Sequence, residues 1–299
     1  MPSALRLATR GSPLARRQSE LVATRLEALD ISVELVIVET LGDVKRDIPM
    51  SELAGRGVFT TEVDRAVLDD RADVAVHSAK DLPSSGTVAG VSIAAVPERA
   101  DPRDALVGNS LEDLAPGAVV ATGSPRRRVQ LSNIRPDLAF QELRGNIGTR
   151  LERVPPDGSV VVAVAALERL SLGGHAVEVL PVSVMLPQVG QGAIALRCRE
   201  GDDRTLALLA EIDDVSAHLA LRSERAFLAR LGGGCDAPVG AYATLDEAGV
   251  IYLEAMVATL DGHIVIRRRA SGADPEKTGT ELAESMLEID VAGELFGLT

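Results

Sequence analysis

One thiol stands behind a run of glycines in Leu231-Gly232-Gly233-Gly234-Cys235-Asp236-Ala237-Pro238. Glycine removes side-chain bulk and widens the backbone's options, so this loop can present Cys235 to something large. A thiol is also well suited to holding a covalent adduct. A plain helix stop has the same local composition, and both readings stand at this point. The second cysteine, Cys198, lies in apolar Ile194-Ala195-Leu196-Arg197-Cys198 and reads as a buried small hydrophobe. A second chemical candidate is Ala75-Val76-His77-Ser78-Ala79-Lys80-Asp81-Leu82-Pro83, which follows a strand pattern. Asp81 there is suited to general acid/base work or to stabilising a cation, and Lys80 to pairing with a carboxylate. A neighbouring ammonium favours the ionised aspartate. A turn with a local ion pair would look the same. His77 reads as a packed strand residue.

Two further segments resemble each other. Ala8-Thr9-Arg10-Gly11-Ser12-Pro13 and Ala121-Thr122-Gly123-Ser124-Pro125 each end a strand pattern and open a helix. Each serine is placed as an N-cap and each proline at the first helical position, where its missing N–H costs nothing. Helix starts of this kind attract anions. Arginines accompany both, Arg10 in the first and Arg126, Arg127 and Arg128 in the second. A single copy would be an ordinary helix start. Two copies at strand carboxyl ends, where ligands of open α/β sheets bind, point to a ligand carrying several carboxylates held by bidentate arginines. Leu143-Arg144-Gly145-Asn146-Ile147-Gly148-Thr149-Arg150 adds two arginines in a glycine-punctuated loop and helix start. Arg169 follows a buried strand pattern; it reads either as a surface arginine or as one that reaches the same cleft.

The elements that must carry these residues alternate strand and helix. Strands are expected at 5–9, 33–38, 74–77 and 91–96, and helices at 13–29 and 61–68, with Thr61 and Asp64 spaced like a capping box. The nearly unbroken apolar run 33–38 reads as a buried parallel strand. A second unit begins near Ala118 with a strand at 118–122, a helix at 126–134 and a buried strand at 160–165. This rhythm implies open, mostly parallel sheets. The stretches Pro97–Arg103 and Pro187–Gly192 read as two crossings between lobes that could rock about a cleft. The last part changes character: a helix at 215–231, strands at 239–244, 250–260 and 264–270 with Asp261-Gly262 as a hairpin signal, and a helix at 280–287. The fold class expected is α/β, with residues 1–98 and 193–213 forming one doubly wound lobe, 99–192 a second, and 214–299 a smaller α+β domain carrying Cys235.

The 299 residues are 46% hydrophobic but only 2% aromatic, with no Trp, so the cores must be aliphatic. A net charge of -13 argues against a nucleic-acid partner, which needs a basic face. No apolar run is long enough to cross a bilayer, and the N-terminus goes straight into a strand pattern without a signal-peptide core. Two cysteines without metal-ligand spacing fit a reducing cytoplasm. The four histidines form no metal pair, so no metal site is expected.

Together, Leu7-Ala8-Thr9-Arg10-Gly11-Ser12-Pro13-Leu14-Ala15, Val76 to Pro83, Leu143 to Arg150 and Gly233-Gly234-Cys235-Asp236-Ala237-Pro238-Val239-Gly240 closely resemble the porphobilinogen deaminase (hydroxymethylbilane synthase) family. The resemblance runs in order from about residue 5 to the last helix. It implies three domains, the first two similar to periplasmic solute-binding lobes, and a cytoplasmic, monomeric transferase of tetrapyrrole biosynthesis. The reaction implied joins four porphobilinogen molecules, releases four ammonia and adds water to give hydroxymethylbilane. Cys235 matches the family's attachment point for a dipyrromethane cofactor held through a thioether. Asp81 matches the catalytic aspartate, which would assist loss of ammonia and stabilise the resulting azafulvene cation. Ser78, Lys80, Asp81, Thr122, Ser124, Arg126, Arg127, Arg144 and Arg150 match cofactor-holding positions. Arg10, Ser12, Gln18 and Arg169 match substrate-side positions, with Arg144 and Arg150 serving both. The chain departs from the family at Glu52 and Arg56, where lysines are common, and at Gly123-Ser124-Pro125, which replaces Ser-Ser-Leu. Two other readings compete: a two-lobed solute-binding protein for a polycarboxylate, and an acyl- or thiol-transfer enzyme using Cys235, which would want a histidine nearby.

Overall fold

The computed structural model describes residues 4–39, 60–84, 88–232 and 237–288. Cys235 with Gly233, Gly234 and Asp236, and the region holding Glu52 and Arg56, lie outside the described residues. The first lobe contains β1 (Leu5–Arg10), α1 (Pro13–Glu27), β2 (Val33–Val38), α2 (Thr61–Leu68), β3 (Val74–Ser78) and β4 (Val91–Ala95). The chain then crosses and forms β5 (Asp104–Gly108), β6 (Val119–Ala121), α3 (Pro125–Ile134), β7 (Ala139–Gln141), α4 (Ile147–Leu151), β8 (Ser159–Ala163), α5 (Val164–Arg169) and β9 (Glu178–Leu180). It returns as β10 (Ile194–Arg199) and α6 (Asp203–Ala210). The remainder is α7 (Val215–Leu231), β11 (Val239–Leu245), β12 (Ile251–Ala258), β13 (Val265–Gly272) and α8 (Pro275–Leu287).

Two five-stranded sheets share one topology. Their orders are β2-β1-β3-β10-β4 and β7-β6-β8-β5-β9. In each, four strands run in the same direction, and the strand that has just crossed from the other lobe is inserted antiparallel among them. The expected mostly parallel arrangement is therefore borne out, with one antiparallel strand in each sheet. The inserted strands β5 and β10 pair non-locally, and no short-range pattern reports that. Strand alternation sorts the first core: Val74, Val76, Ile194 and Leu196 face α1 and α6, while Ala75 packs with Val63 and Val67 of α2.

Three local expectations are corrected. The apolar β2 is parallel but lies at the sheet edge, so Ile37 keeps 43% of its surface exposed. The capping box does not form: Thr60 is the N-cap of α2 without a side-chain cap bond. Asp64 is instead buried, with Oδ1 2.8 Å from His77 Nε2 and Oδ2 accepting from Arg197 Nη1. His77 is thus the packed strand residue expected. The strand at 160–165 also ends earlier, because the chain turns into α5 at Val164.

In the third unit, the antiparallel sheet β11-β12-β13 packs on α7 and α8 around fully buried Phe227. Its other face meets the second lobe through Met256, Ala258, Val129 and Leu186. Asp214 caps α7, and Gly232 ends it with a left-handed φ of 68°. The Gly-Gly-Gly run therefore begins as a helix stop.

The two crossings are fastened to each other. Ala100 N donates to Gly192 O at 3.2 Å, and Arg99 Nε to Gln191 O at 2.9 Å. At Gly192, with φ +88°, an added Cβ would lie 2.4 Å from Ala100 O, so only glycine fits. Buried Glu224 of α7 binds both crossings to the third unit. It accepts from Arg99 Nη1 at 2.5 Å, Gly190 N at 2.7 Å and Ala243 N at 2.9 Å.

Candidate active site

Residues just beyond the carboxyl ends of β3 and β6, one strand from each lobe, line a cavity together with residues of the third unit. Both repeated helix starts are built alike. Ser12 Oγ accepts from Ala15 N at 3.3 Å, Ser124 Oγ accepts from Arg127 N at 3.5 Å, and a proline follows each serine. Thr122 Oγ1 accepts from Ser124 N at 3.2 Å, closing the turn before α3. Lys80 and Asp81 lie on a 3₁₀ turn, Ala79–Asp81, that follows β3. The cavity is lined by Lys80 from the first lobe and by Ser124 and Arg126 from the second. Gln188 of the second crossing and Ala237 and Val239 of the third unit complete its wall. Ala237 follows Cys235 by two positions in the sequence.

The electrostatics are dominated by crowded cations. Burial pushes the Lys80 ammonium down to about 8; Arg127 and Arg150 lower it further, while Asp81 and Asp104 act to raise it. Burial likewise brings Arg150 down to about 10, with Arg127 adding to the shift and Asp81 opposing it. Lys80, Asp81, Arg127 and Arg150 therefore share one field although they come from two lobes. Asp81 is exposed. An exposed carboxylate among buried cations can hold pyrrole or amine N–H groups and stabilise positive charge, while the cations bind acid groups.

Other expected residues are placed differently. Gln18 is buried and its Nε2 donates to Ser78 Oγ at 2.7 Å, so these two support the β3 end together. Arg169 is partly buried rather than a surface arginine: Nη2 donates to Gly192 O at 2.7 Å, and burial brings its guanidinium down to about 10. Arg144 is exposed and paired with Glu142 at 2.6 Å. Arg150 Nε donates to Gly145 O at 2.9 Å. Arg10 is half-buried at the end of β1. Arg126 and Arg127 are buried, and both bind Asp104, a residue that the sequence reading missed. Asp104 opens β5 just after a charged crossing, and its burial depends on the non-local insertion of that strand.

The family model described as porphobilinogen deaminase, dipyromethane cofactor binding domain, matches residues 5–207, and the one for the C-terminal domain of porphobilinogen deaminase matches residues 218–288. The chain belongs to the porphobilinogen deaminase family. It is 44% identical over 294 residues to the porphobilinogen deaminase of Syntrophotalea carbinolica, covering 95% of this chain and 93% of the relative. It is 41% identical over 289 residues to that of Brevibacillus brevis, covering 94% and 93%. Among solved structures, a methionine-binding lipoprotein of Bacillus subtilis aligns with TM-score 0.42 at 15% identity, covering 70% of this chain and 89% of that one. A periplasmic substrate-binding protein of a Coxiella burnetii ABC transporter aligns with TM-score 0.42 at 14% identity, covering 74% and 96%. As a member of this family, the enzyme is a transferase that polymerises porphobilinogen into hydroxymethylbilane in tetrapyrrole biosynthesis, and its cofactor is dipyrromethane. The residues fit such a polycarboxylate: Arg126 Nε is buried without a hydrogen-bond partner, and Arg126 lines the cavity. Among the described residues no helix is long and apolar enough to cross a membrane.

Proposed function

We propose that the reaction is carried out where the two lobes meet beside this cavity, with Asp81 as the catalytic carboxylate. The observation that carries this is the shared field of Asp81, Lys80, Arg127 and Arg150 across two lobes. Cys235 would hold the dipyrromethane, which would supply the terminal pyrrole carbon for chain growth. Ser78, Lys80, Thr122, Ser124, Arg126, Arg127, Arg144 and Arg150 hold its acid groups. Arg10, Ser12, Gln18 and Arg169 serve the incoming porphobilinogen, Gln18 by steadying Ser78. Asp81 accepts from pyrrole N–H groups, and its fixed charge favours the cation formed when ammonia leaves. Preorganised stabilisation of this sort contributes about 10²–10³ in rate.

The division into 1–98 with 193–213, 99–192 and 214–299 is supported by the sheets, one built from β1–β4 with the returning β10, one from β5–β9 and one from β11–β13. A cytoplasmic enzyme without a nucleic-acid partner fits the net charge of -13 and the buried free thiol of Cys198, which burial pushes up to about 11, and the family resemblance implies a monomer.

Intact-protein mass and turnover test the assignment together. Asp81→Asn should retain an adduct of two linked pyrroles while kcat falls by roughly 100-fold or more; Cys235→Ser should carry no adduct. Near-normal kcat in Asp81→Asn would assign the chemistry to another group, and an adduct in Cys235→Ser would move the attachment point.

A further inference from the structure

Two arginines at successive positions in the first turn of one helix are an unfavourable arrangement. The amino end of α3 already carries partial positive charge, and Arg126 and Arg127 are only 3% and 5% exposed. One carboxylate faces both. Asp104 Oδ2 accepts from Arg126 Nη2 at 2.7 Å, and Oδ1 accepts from Arg127 Nη2 at 2.7 Å and Nε at 3.1 Å. The arginines outweigh the burial that opposes its ionisation and hold its carboxyl well below the usual carboxylate range. One buried anion against two buried cations leaves one positive charge uncompensated. The remaining donors are mostly fixed as well: Arg126 Nη1 to Leu186 O at 2.5 Å, and Arg127 Nη1 to Val161 O at 2.9 Å. Of the six guanidinium nitrogens, Arg126 Nε alone has no partner.

The same carboxylate is tied to both crossings. Asp104 begins β5 directly after the first crossing. Gln191, fully buried in the second, donates through Nε2 to Asp104 Oδ1 at 2.9 Å and to Pro102 O at 2.7 Å. A fold seeking only stability would gain as much from apolar residues here, since a buried ion pair does not by itself stabilise. The cluster instead fixes the orientation of two guanidinium planes and leaves a charge and an N–H for a ligand.

We propose that Asp104, steadied by Gln191, is a positioning residue that sets the geometry in which Arg126 and Arg127 grip a carboxylate of the bound pyrrole chain, and that links this grip to the crossings. The inference rests on the reading of Arg126 and Arg127 as holders of acid groups. Its consequence has a distinctive sign. Removing the Asp104 charge makes the site more positive, so charge counting alone has anions binding more tightly. Loss of positioning makes them bind more weakly.

The test uses the full-length chain purified without adduct from cells that make no porphobilinogen. The porphobilinogen concentration that loads half of the chains is read by intact mass, with Tm measured alongside. Asp104→Asn should raise that concentration at least tenfold, and Gln191→Met, which keeps all three charges, about threefold. A lower half-loading concentration in Asp104→Asn, or wild-type loading with only a lower Tm, overturns the proposal. If Asp104→Asn does not fold, wild-type loading in Gln191→Met overturns it alone. Arg126→Gln and Arg127→Gln separate the two levels. If both load like wild type, the reading of the arginines fails; if they load poorly while Asp104→Asn loads normally, only the positioning role fails.

Discussion

Lys80 provides a prediction in which binding and folding respond to pH with opposite signs. Its ammonium lies at about 8 in the folded protein against an ordinary value of 10.5, burial being the largest cause. Such a group is roughly 90% charged at pH 7 and roughly 10% at pH 9. A ligand carboxylate paired with Lys80 keeps the ammonium charged in the complex. Apparent affinity should therefore fall about tenfold between pH 7 and pH 9, or about 1.4 kcal/mol. Stability runs the other way. The unfolded chain holds this proton between pH 8 and 10.5 while the folded chain does not, so the Lys80 contribution to stability rises with pH through that window. Half-loading of adduct-free chain with porphobilinogen, measured by intact mass at pH 7, 8 and 9, reads the first effect. The same series on Lys80→Met removes the contribution of porphobilinogen's own titration. The wild type should lose about tenfold relative to the variant. Parallel pH profiles for the two proteins would refute the pairing of Lys80 with a ligand carboxylate.

Glu224→Gln should lower stability by about 3–5 kcal/mol, since Arg99 is left as a nearly buried cation without its counter-ion, and Tm by roughly 6–20 °C; a scanning calorimeter would measure this, and an unchanged Tm would show that the crossings hold without the ion pair. Gly192→Ala should fall far below Gly201→Ala in Tm. Both glycines have positive φ, at +88° and +77°, but only the first meets a backbone oxygen 2.4 Å from an added Cβ, the second opening into free space; equal effects in the two variants would mean that the close approach at Ala100 is relaxed easily.

Much of the fold was legible because local chemistry encodes it. The helix at 215–231 matches α7 in both bounds, and Thr61–Leu68 matches α2, since apolar spacing and flanking turn residues suffice to place a helix. Both Ser-Pro starts form as read. The strands β5, β7, β9 and β10 were not marked. Three are short or lack alternation, and β10 was seen only as an apolar stretch around Cys198. Asp64 shows how tertiary context overrides a local signal. Its position in a helix start suggested a cap, but Arg197 on the inserted β10 draws its carboxylate inward. Glu224 was equally invisible, because nothing in the sequence of α7 distinguishes it from the solvated glutamates.

By itself, the sequence determined which side chains could do chemistry: the thiol behind its glycines, the Lys80-Asp81 turn and the two arginine-bearing helix starts. Residue type and short spacing are enough for that, because capping, turns and nucleophilicity are local properties. Only the tertiary structure decided which of these share a field and what balances their charge. Desolvation and ion pairing depend on what surrounds a group in space. The anion that faces Arg126 and Arg127 comes from β5, inserted between β8 and β9 of the same lobe, 22 and 23 positions away.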